Sequence, residues 1–429
     1  MARIVLATVG SLGDLHPFIA IGKSLAARGD HVLLAVPEDG VAKVRAAGLD
    51  AAPILPSYAT ICDLLGMSQT QVAARILADT QFVIDNILLP TLQTSTAALD
   101  ELAAGADVLV GSIFAFAAEI VAEKRRLPLA TVVLQPMTLF SAWQPPSAPQ
   151  FEMMRHNPRT GLGRGWNRLF FSLARAALRR RYAKRIDAIR AEHGLGPNSG
   201  APMLDHGPAT TAILCCWSTV LGGLPPDAPK SASLVGFPFY DSERGPEEPL
   251  APALNAFLRG GDPPLIFTLG SFAVAAPGYF YEEAAAASRA LGRRALMLTG
   301  QPESPRIDGD CMFMTYAPHS AVFPHAAAVI HHGGAGTTGQ AIRAGRPQIV
   351  VPHFGDQFDN AARLKSAGMS QTVRREDFAC ERAARTIAQL LSDPGKTSAA
   401  KRAALIIAGE DGAAEAACQI ARIAIAARP

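Results

Sequence analysis

The sequence predicts an α/β protein built from two doubly wound, parallel-sheet domains, and three observations carry that expectation. At 429 residues the chain exceeds one ordinary core, and two domains of about 200 residues each are the natural division. It opens with an apolar strand, a glycine loop, a helix and a second strand, the β-α-β order that makes a parallel sheet. Near residue 264 a strand again runs into a glycine turn, so the chain repeats its own beginning.

Taken in order, residues 3–9 form a buried strand that enters Gly10, Ser11, Leu12, Gly13 and Asp14, and a helical pattern follows from Pro17 to Arg28, closed by Gly29. Residues 31–37 are the next strand. The GxxG pattern between them lacks the first half of the dinucleotide fingerprint, and no acidic residue closes the second strand, so a nicotinamide cofactor is not expected. Residues 41–101 read as mostly helical, 107–111 as a strand, 117–126 as a helix and 128–134 as a strand. The proline-rich stretch 138–158, with Trp143, is either the wall of an acceptor cavity or an ordered surface loop.

Residues 164–190 combine Arg164, Arg168, Arg175, Arg179, Arg180, Arg181, Lys184, Arg185 and Arg190 with an apolar side of Trp166, Leu169, Phe170, Phe171, Leu173 and Leu178. Such a helix either lies on an anionic membrane surface or presents a solvated charged face. After a strand at 211–215, the charged and proline-rich stretch 241–252 reads as the interdomain linker. The second half then supplies strands at 264–269, 294–299 and 311–315, and its last part, 381–391 and 399–428, is alanine-rich and helical. Asp308, Gly309 and Asp310 form a DxD triplet that reads as an exposed turn rather than a metal site, and the histidines lack ligand spacing such as HExxH. No metal is expected.

The stretch 331–364, HHGGAGTTGQAIRAGRPQIVVPHFGDQFDNAARL, organises the rest. An apolar run leads into Gly333, Gly334 and Gly336, and a helical segment from Thr337 to Ala344 follows. Glycines let a ligand approach the backbone, and a helix N-terminus offers unpaired N–H groups and the positive end of its dipole, which suits a diphosphate. His331 adds a further donor. A second strand end carries Asp356 and Gln357, a carboxylate and an amide fit for sugar hydroxyls, before a helix expected near Asn360.

This pattern closely resembles the donor signature of the family-1 nucleotide-sugar glycosyltransferases, which have the GT-B fold of two Rossmann-like domains facing a central cleft. The resemblance implies that His331 and the backbone of Gly333, Gly334, Ala335, Gly336 and Thr337 bind the donor diphosphate and that Asp356 and Gln357 bind the sugar. It further implies that Ser271 faces the phosphates, unless it is a turn cap, that Tyr316 stacks on the base, that Ala317 pairs with it through its backbone, and that His319 reaches the ribose. In the run VGSLGDLHPFIAIGKSL, Asp14 falls where relatives carry a catalytic base, with His16 as a substitute; the alternative for Asp14 is a cap for the helix entered at Pro17. GFPFYD and PLIFTLGS, within 235–300, also look like rhamnolipid rhamnosyltransferases.

The implied architecture is an acceptor domain at 1–230, a donor domain at 231–410 and a final helix, 411–429, crossing back to the first. The implied activity is inverting, metal-independent transfer of a hexose from a UDP- or dTDP-sugar to a small hydrophobic acceptor, with no cofactor. An epimerase of the same fold and a non-catalytic sugar-nucleotide binding protein are the alternatives. A net charge of +3 and the lack of basic stretches interleaved with aromatics argue against nucleic acid. Six cysteines without CxxC spacing, an N-terminus lacking a secretory pattern, and apolar runs too short to span a bilayer point to a cytoplasmic protein.

Overall fold

The computed structural model describes residues 1–79, 81–198, 200–242, 250–301 and 305–426. The chain folds into two compact units, one of Met1–Ser68, Asp79–Phe239 and Asp411–Pro429, the other of Gln69–Ala78 and Tyr240–Glu410. The expected linker at 241–252 falls largely on residues 243–249, which lie outside the described residues.

The first unit contains β1 (Arg3–Ala7), β2 (His31–Pro37), β3 (Asp50–Leu55), β4 (Val108–Ser112), β5 (Leu129–Val133), β6 (Thr210–Cys215) and β7 (Ala232–Leu234). They make one parallel sheet of order β3-β2-β1-β4-β5-β6-β7. β4 and β5 are buried along their whole length, as strands covered on both faces must be, which is why they read as unbroken apolar runs. Most of the described residues of 41–101 are helical, as expected; the one correction there is the strand β3. Its sequence, DAAPIL, carries alanines and Pro53, and proline is tolerated here because β3 is the edge strand, where a ladder N–H is dispensable.

A second correction concerns the first helix. It spans Leu12–Ala27, begins before Pro17, and is capped by Ser11, whose hydroxyl accepts from the Gly13 N–H while Asp14, at the third helical position, accepts from the Ser11 N–H. This reciprocal capping box moves the start upstream of the proline. The last helix, Gly412–Ala426, belongs to the first unit. A Cβ on Gly412 would lie 2.4 Å from the Gly236 carbonyl oxygen, so only glycine lets it start there, and Ser233 Oγ donates to Gln419 Oε1 further along.

The second unit contains β8 (Leu265–Thr268), β9 (Ala295–Leu298), β10 (Arg306–Asp308), β11 (Cys311–Met314), β12 (Ala328–His331), β13 (Gln348–Val350) and β14 (Ser370–Thr372). Their order is β10-β11-β9-β8-β12-β13-β14, parallel except for the β10/β11 hairpin. The DxD triplet forms the tip of that hairpin, with Gly309 at φ 58°. Leu77, from the segment Gln69–Ala78, packs into the core of this unit with Phe267, Phe280, Ile330 and Phe378. Among the described residues no helix is long and apolar enough to cross a membrane.

In both sheets the strand order reverses beside the unit's first strand, between β1 and β4 and between β8 and β12. Open α/β sheets bind ligands beyond the carboxyl ends of the strands at such a reversal.

Candidate functional site

In the second unit the reversal brings two turns together. β8 ends in Gly270, at φ 69°, and exposed Ser271; β12 ends in His331 and the glycine loop. The helix after the loop spans Ala335–Arg343 with Gly334 as its N-cap, so no side chain caps its first turn. Thr338 N–H is the first to reach back, to the Gly334 carbonyl at 2.9 Å, leaving the N–H groups of Ala335, Gly336 and Thr337 ahead of the helical ladder.

The three loop glycines differ in what requires them. A Cβ at Gly333 would meet Val350 at 2.7 Å and the Gln357 carbonyl at 3.0 Å, and one at Gly334 would meet the His332 ring at 2.4 Å. At Gly336 it would meet nothing within 4 Å. Gly336 therefore leaves open space at the helix N-terminus, the space that a bound anion would use.

The two adjacent histidines face opposite ways. His331 is fully buried; its Nδ1 accepts the Gly333 N–H at 3.1 Å, which leaves Nε2 to donate to Gln348 Oε1 at 2.8 Å. Both nitrogens are thus spent on shaping the loop, not on a ligand. Sequence reasoning missed His332. Its ring lies against Gly270 as well as Gly334, where a Cβ would come within 2.5 and 2.4 Å of it, and its Nδ1 is buried without a partner. Burial pushes the imidazoles of His331 and His353 down to about 4 and that of His332 well below its ordinary value. All three are neutral at pH 7, which leaves main-chain N–H groups and the helix dipole as the positive potential at this loop.

Beyond β13, Asp356 is the N-cap of the helix Gln357–Ser366, which starts before the expected position. Its side chain does not cap. Instead Asp356 Oδ2 accepts from Asn360 Nδ2 at 2.9 Å, and the same amide donates to the Gly333 carbonyl at 2.9 Å. Gln357 is buried, and its Oε1 accepts from the N–H groups of His353 and Phe354, so that oxygen stabilises the loop itself. Tyr316, 53% exposed, follows β11 on the same sheet edge, one strand removed from β8. Ala317 is buried, and His319 stacks on Phe323 with centroids 4.4 Å apart.

In the first unit the loop after β1 places Asp14 at the other reversal. Asp14 is half-buried and accepts the Ser11 N–H at 2.9 Å; burial, only partly offset by its Ser11 hydrogen bonds, pushes the carboxyl up to about 6. Gly10, at φ 123°, is required by it, because a Cβ there would lie 2.3 Å from the carboxylate. His16, half-buried, sits two residues further along the helix. A cavity of about 640 Å³ in the first unit is bordered by Leu139, Phe140, Arg168, Thr210 and Ser231. Among the described residues no cluster of three or more His, Cys, Asp or Glu could hold a metal.

Residues 299–423 match the family model described as the C-terminal domain of erythromycin biosynthesis protein CIII-like proteins. Over 425 residues the chain is 32% identical to the O-mycaminosyltylonolide 6-deoxyallosyltransferase of Streptomyces fradiae, covering 96% of this chain and 94% of that one. Among solved structures it resembles the glycotransferase of kitacinnamycin, with a TM-score of 0.71 and 20% identity over 98% of this chain and 99% of that one. It also resembles the glycosyltransferase VinC in complex with dTDP, with a TM-score of 0.67 and 18% identity over 99% of this chain and 100% of that one. These likenesses give the GT-B fold. The relatives are named for natural products rather than rhamnolipids, which corrects the narrower resemblance read from 235–300. That stretch contains the buried strand β8 and the buried Val235 and Phe237, so it reports the shared core and not the acceptor.

Proposed function

The chain belongs to the family-1 nucleotide-sugar glycosyltransferases, and from that premise we propose that it moves a hexose from a dTDP- or UDP-sugar to a hydroxyl of a small hydrophobic natural product, with inversion. The observation that carries this reading is the uncapped N-terminus of the helix Ala335–Arg343, opening beside Gly336 at the sheet reversal, where the neighbouring strand β8 ends in Gly270 and Ser271. The dTDP held by VinC supports a pyrimidine nucleoside diphosphate, and the name of the S. fradiae relative supports a natural-product acceptor.

In this reading the N–H groups of Ala335, Gly336 and Thr337 and the Ser271 hydroxyl bind the diphosphate, and Asp356 binds the sugar. Tyr316 stacks on the base, the Ala317 backbone pairs with it, and His319 lies toward the ribose. His332, rather than His331, is the imidazole against the leaving group, because His331 is spent on Gly333 and Gln348. Asp14 takes the acceptor proton, with His16 beside it. Its raised pKa keeps it basic enough to accept a proton yet largely ionised at neutral pH. Leaving-group charge is met by the helix N-terminus, and no metal is assigned a role. Six free cysteines support a reducing cytoplasmic setting.

Thermal shift with dTDP, UDP, GDP and NAD, followed by turnover of the preferred sugar nucleotide against a panel of natural-product aglycones, tests the reading. Stabilisation by dTDP or UDP and acceptor-dependent release of that nucleotide are expected. Stabilisation by NAD alone, or conversion of the sugar nucleotide to an epimer without acceptor, would overturn it.

A further inference from the structure

The helix Gly161–Glu192 separates the apolar residues expected on one side into two sets. Phe170 and Phe171 turn inward, where they meet Phe151, and Phe171 also meets Phe140, at ring-centroid distances of 5.9 to 6.5 Å; Leu178 packs against the core of the first unit. Leu162, Trp166, Leu169 and Leu173 instead stand on the surface at 89, 43, 52 and 63% exposure. Their spacing of four, three and four residues puts them in one row along the helix. Trp166 donates its indole N–H to the carbonyl of Met153, itself 68% exposed, so its one polar atom is satisfied while the ring stays at the surface.

The row does not end at Leu173. Seven and eleven residues further on, the same line carries exposed Arg180 and Lys184, neither with an ion-pair partner among the described residues. Beside them Arg181 and Arg185 share the single carboxylate of Asp85. One face of this helix is therefore apolar over its first half and basic over its second. Exposed apolar rows of this length mark an interaction surface, and unneutralised cations in line with one select an anionic partner.

We propose that this face docks on an anionic lipid surface, with Leu162, Trp166, Leu169 and Leu173 entering the interface and Arg180 and Lys184 meeting lipid phosphates. The apolar row supplies the burial, and the cations supply the preference for negative headgroups.

The test uses the full chain and vesicles of phosphatidylcholine with and without phosphatidylglycerol, assayed by flotation at low and high salt. Flotation only with phosphatidylglycerol, and its loss at high salt, is expected. The pairs Leu169→Glu with Leu173→Glu and Arg180→Glu with Lys184→Glu should each weaken it by at least about tenfold. Both pairs are on the surface, and an unchanged melting temperature will show that they fold. No flotation, equal flotation on both vesicle types, or a wild-type dimer that Leu169→Glu with Leu173→Glu dissociates would overturn the proposal.

Discussion

Asn360 Nδ2 donates at 2.9 Å to the carbonyl oxygen of Gly333, and the same nitrogen donates at 2.9 Å to Asp356. One buried carboxamide thereby joins the glycine loop after β12 to the loop after β13. Its two amide hydrogens are both used. Replacing Asn360 by Ala should cost about 1–3 kcal/mol of stability, because the Gly333 carbonyl is left buried and unpaired. The KM for the nucleotide sugar should rise, with kcat changed less. Urea unfolding and steady-state kinetics measure both, and a variant that loses stability at constant KM would reduce Asn360 to a packing residue.

Gly336→Ala should separate folding from binding. The added methyl meets no protein atom within 4 Å, and it stands in the first turn of a helix, where Ala is the better helix former. Stability should be unchanged or higher by about 0.4–1 kcal/mol. Affinity for dTDP or UDP should fall by about tenfold or more, as the methyl enters the space proposed for the diphosphate. Calorimetric titration of nucleotide into the variant decides it; wild-type affinity would mean that the loop binds its anion elsewhere.

Asp14→Asn should lower kcat by about 10² to 10⁴ while leaving nucleotide affinity unchanged, since the carboxyl belongs to the first unit and the donor loops to the second. In the wild type, kcat should fall as the pH drops through about 6, where the base becomes protonated. Gly10→Ala offers an independent check, because its Cβ would displace the carboxylate without removing it. Comparable loss of kcat in both variants is the expected result, and full turnover in either would exclude Asp14 as the base.

The buried imidazoles predict how stability depends on pH. His331 and His353 have folded values near 4, below the ordinary 6.5, so the unfolded chain binds more protons between those limits. Their contribution is complete above about 6.5 and is lost as the pH falls toward 4, together on the order of a few kcal/mol. Asp14 runs the other way, its folded value lying above 3.8, so its desolvation cost is relieved as the pH falls through about 6. Denaturant midpoints from pH 7 to 4 should therefore decline, and the decline should shrink in His353→Gln. A flat profile would contradict the burial of these rings.

The sequence by itself determined the repeated β-loop-α plan and the glycine loop at Gly333–Gly336 with a helix behind it, because these follow from local rules. Parallel strands covered on both faces are largely apolar, glycine is favoured at positive-φ turns, and the first turn of a helix leaves N–H donors ahead of its ladder. Ser11 and Asp14 were equally legible as a capping box three residues apart, although Pro17 drew attention to a later start. β3 was hidden because an edge strand needs neither apolar alternation nor every N–H, so DAAPIL carries little of the usual signal.

Only the tertiary structure decided which histidine lies between the turns at Gly270 and Gly334. His331 and His332 are identical neighbours, and adjacent residues at a strand end point to opposite sides, so the choice rests on where β13 places Gln348 to receive the first and where Gly270 and Gly334 leave room for the second. The link through Asn360 and the outward row from Leu162 to Leu173 have the same origin. Each depends on which surfaces other segments cover, and covering is a long-range property that no local pattern in the chain encodes.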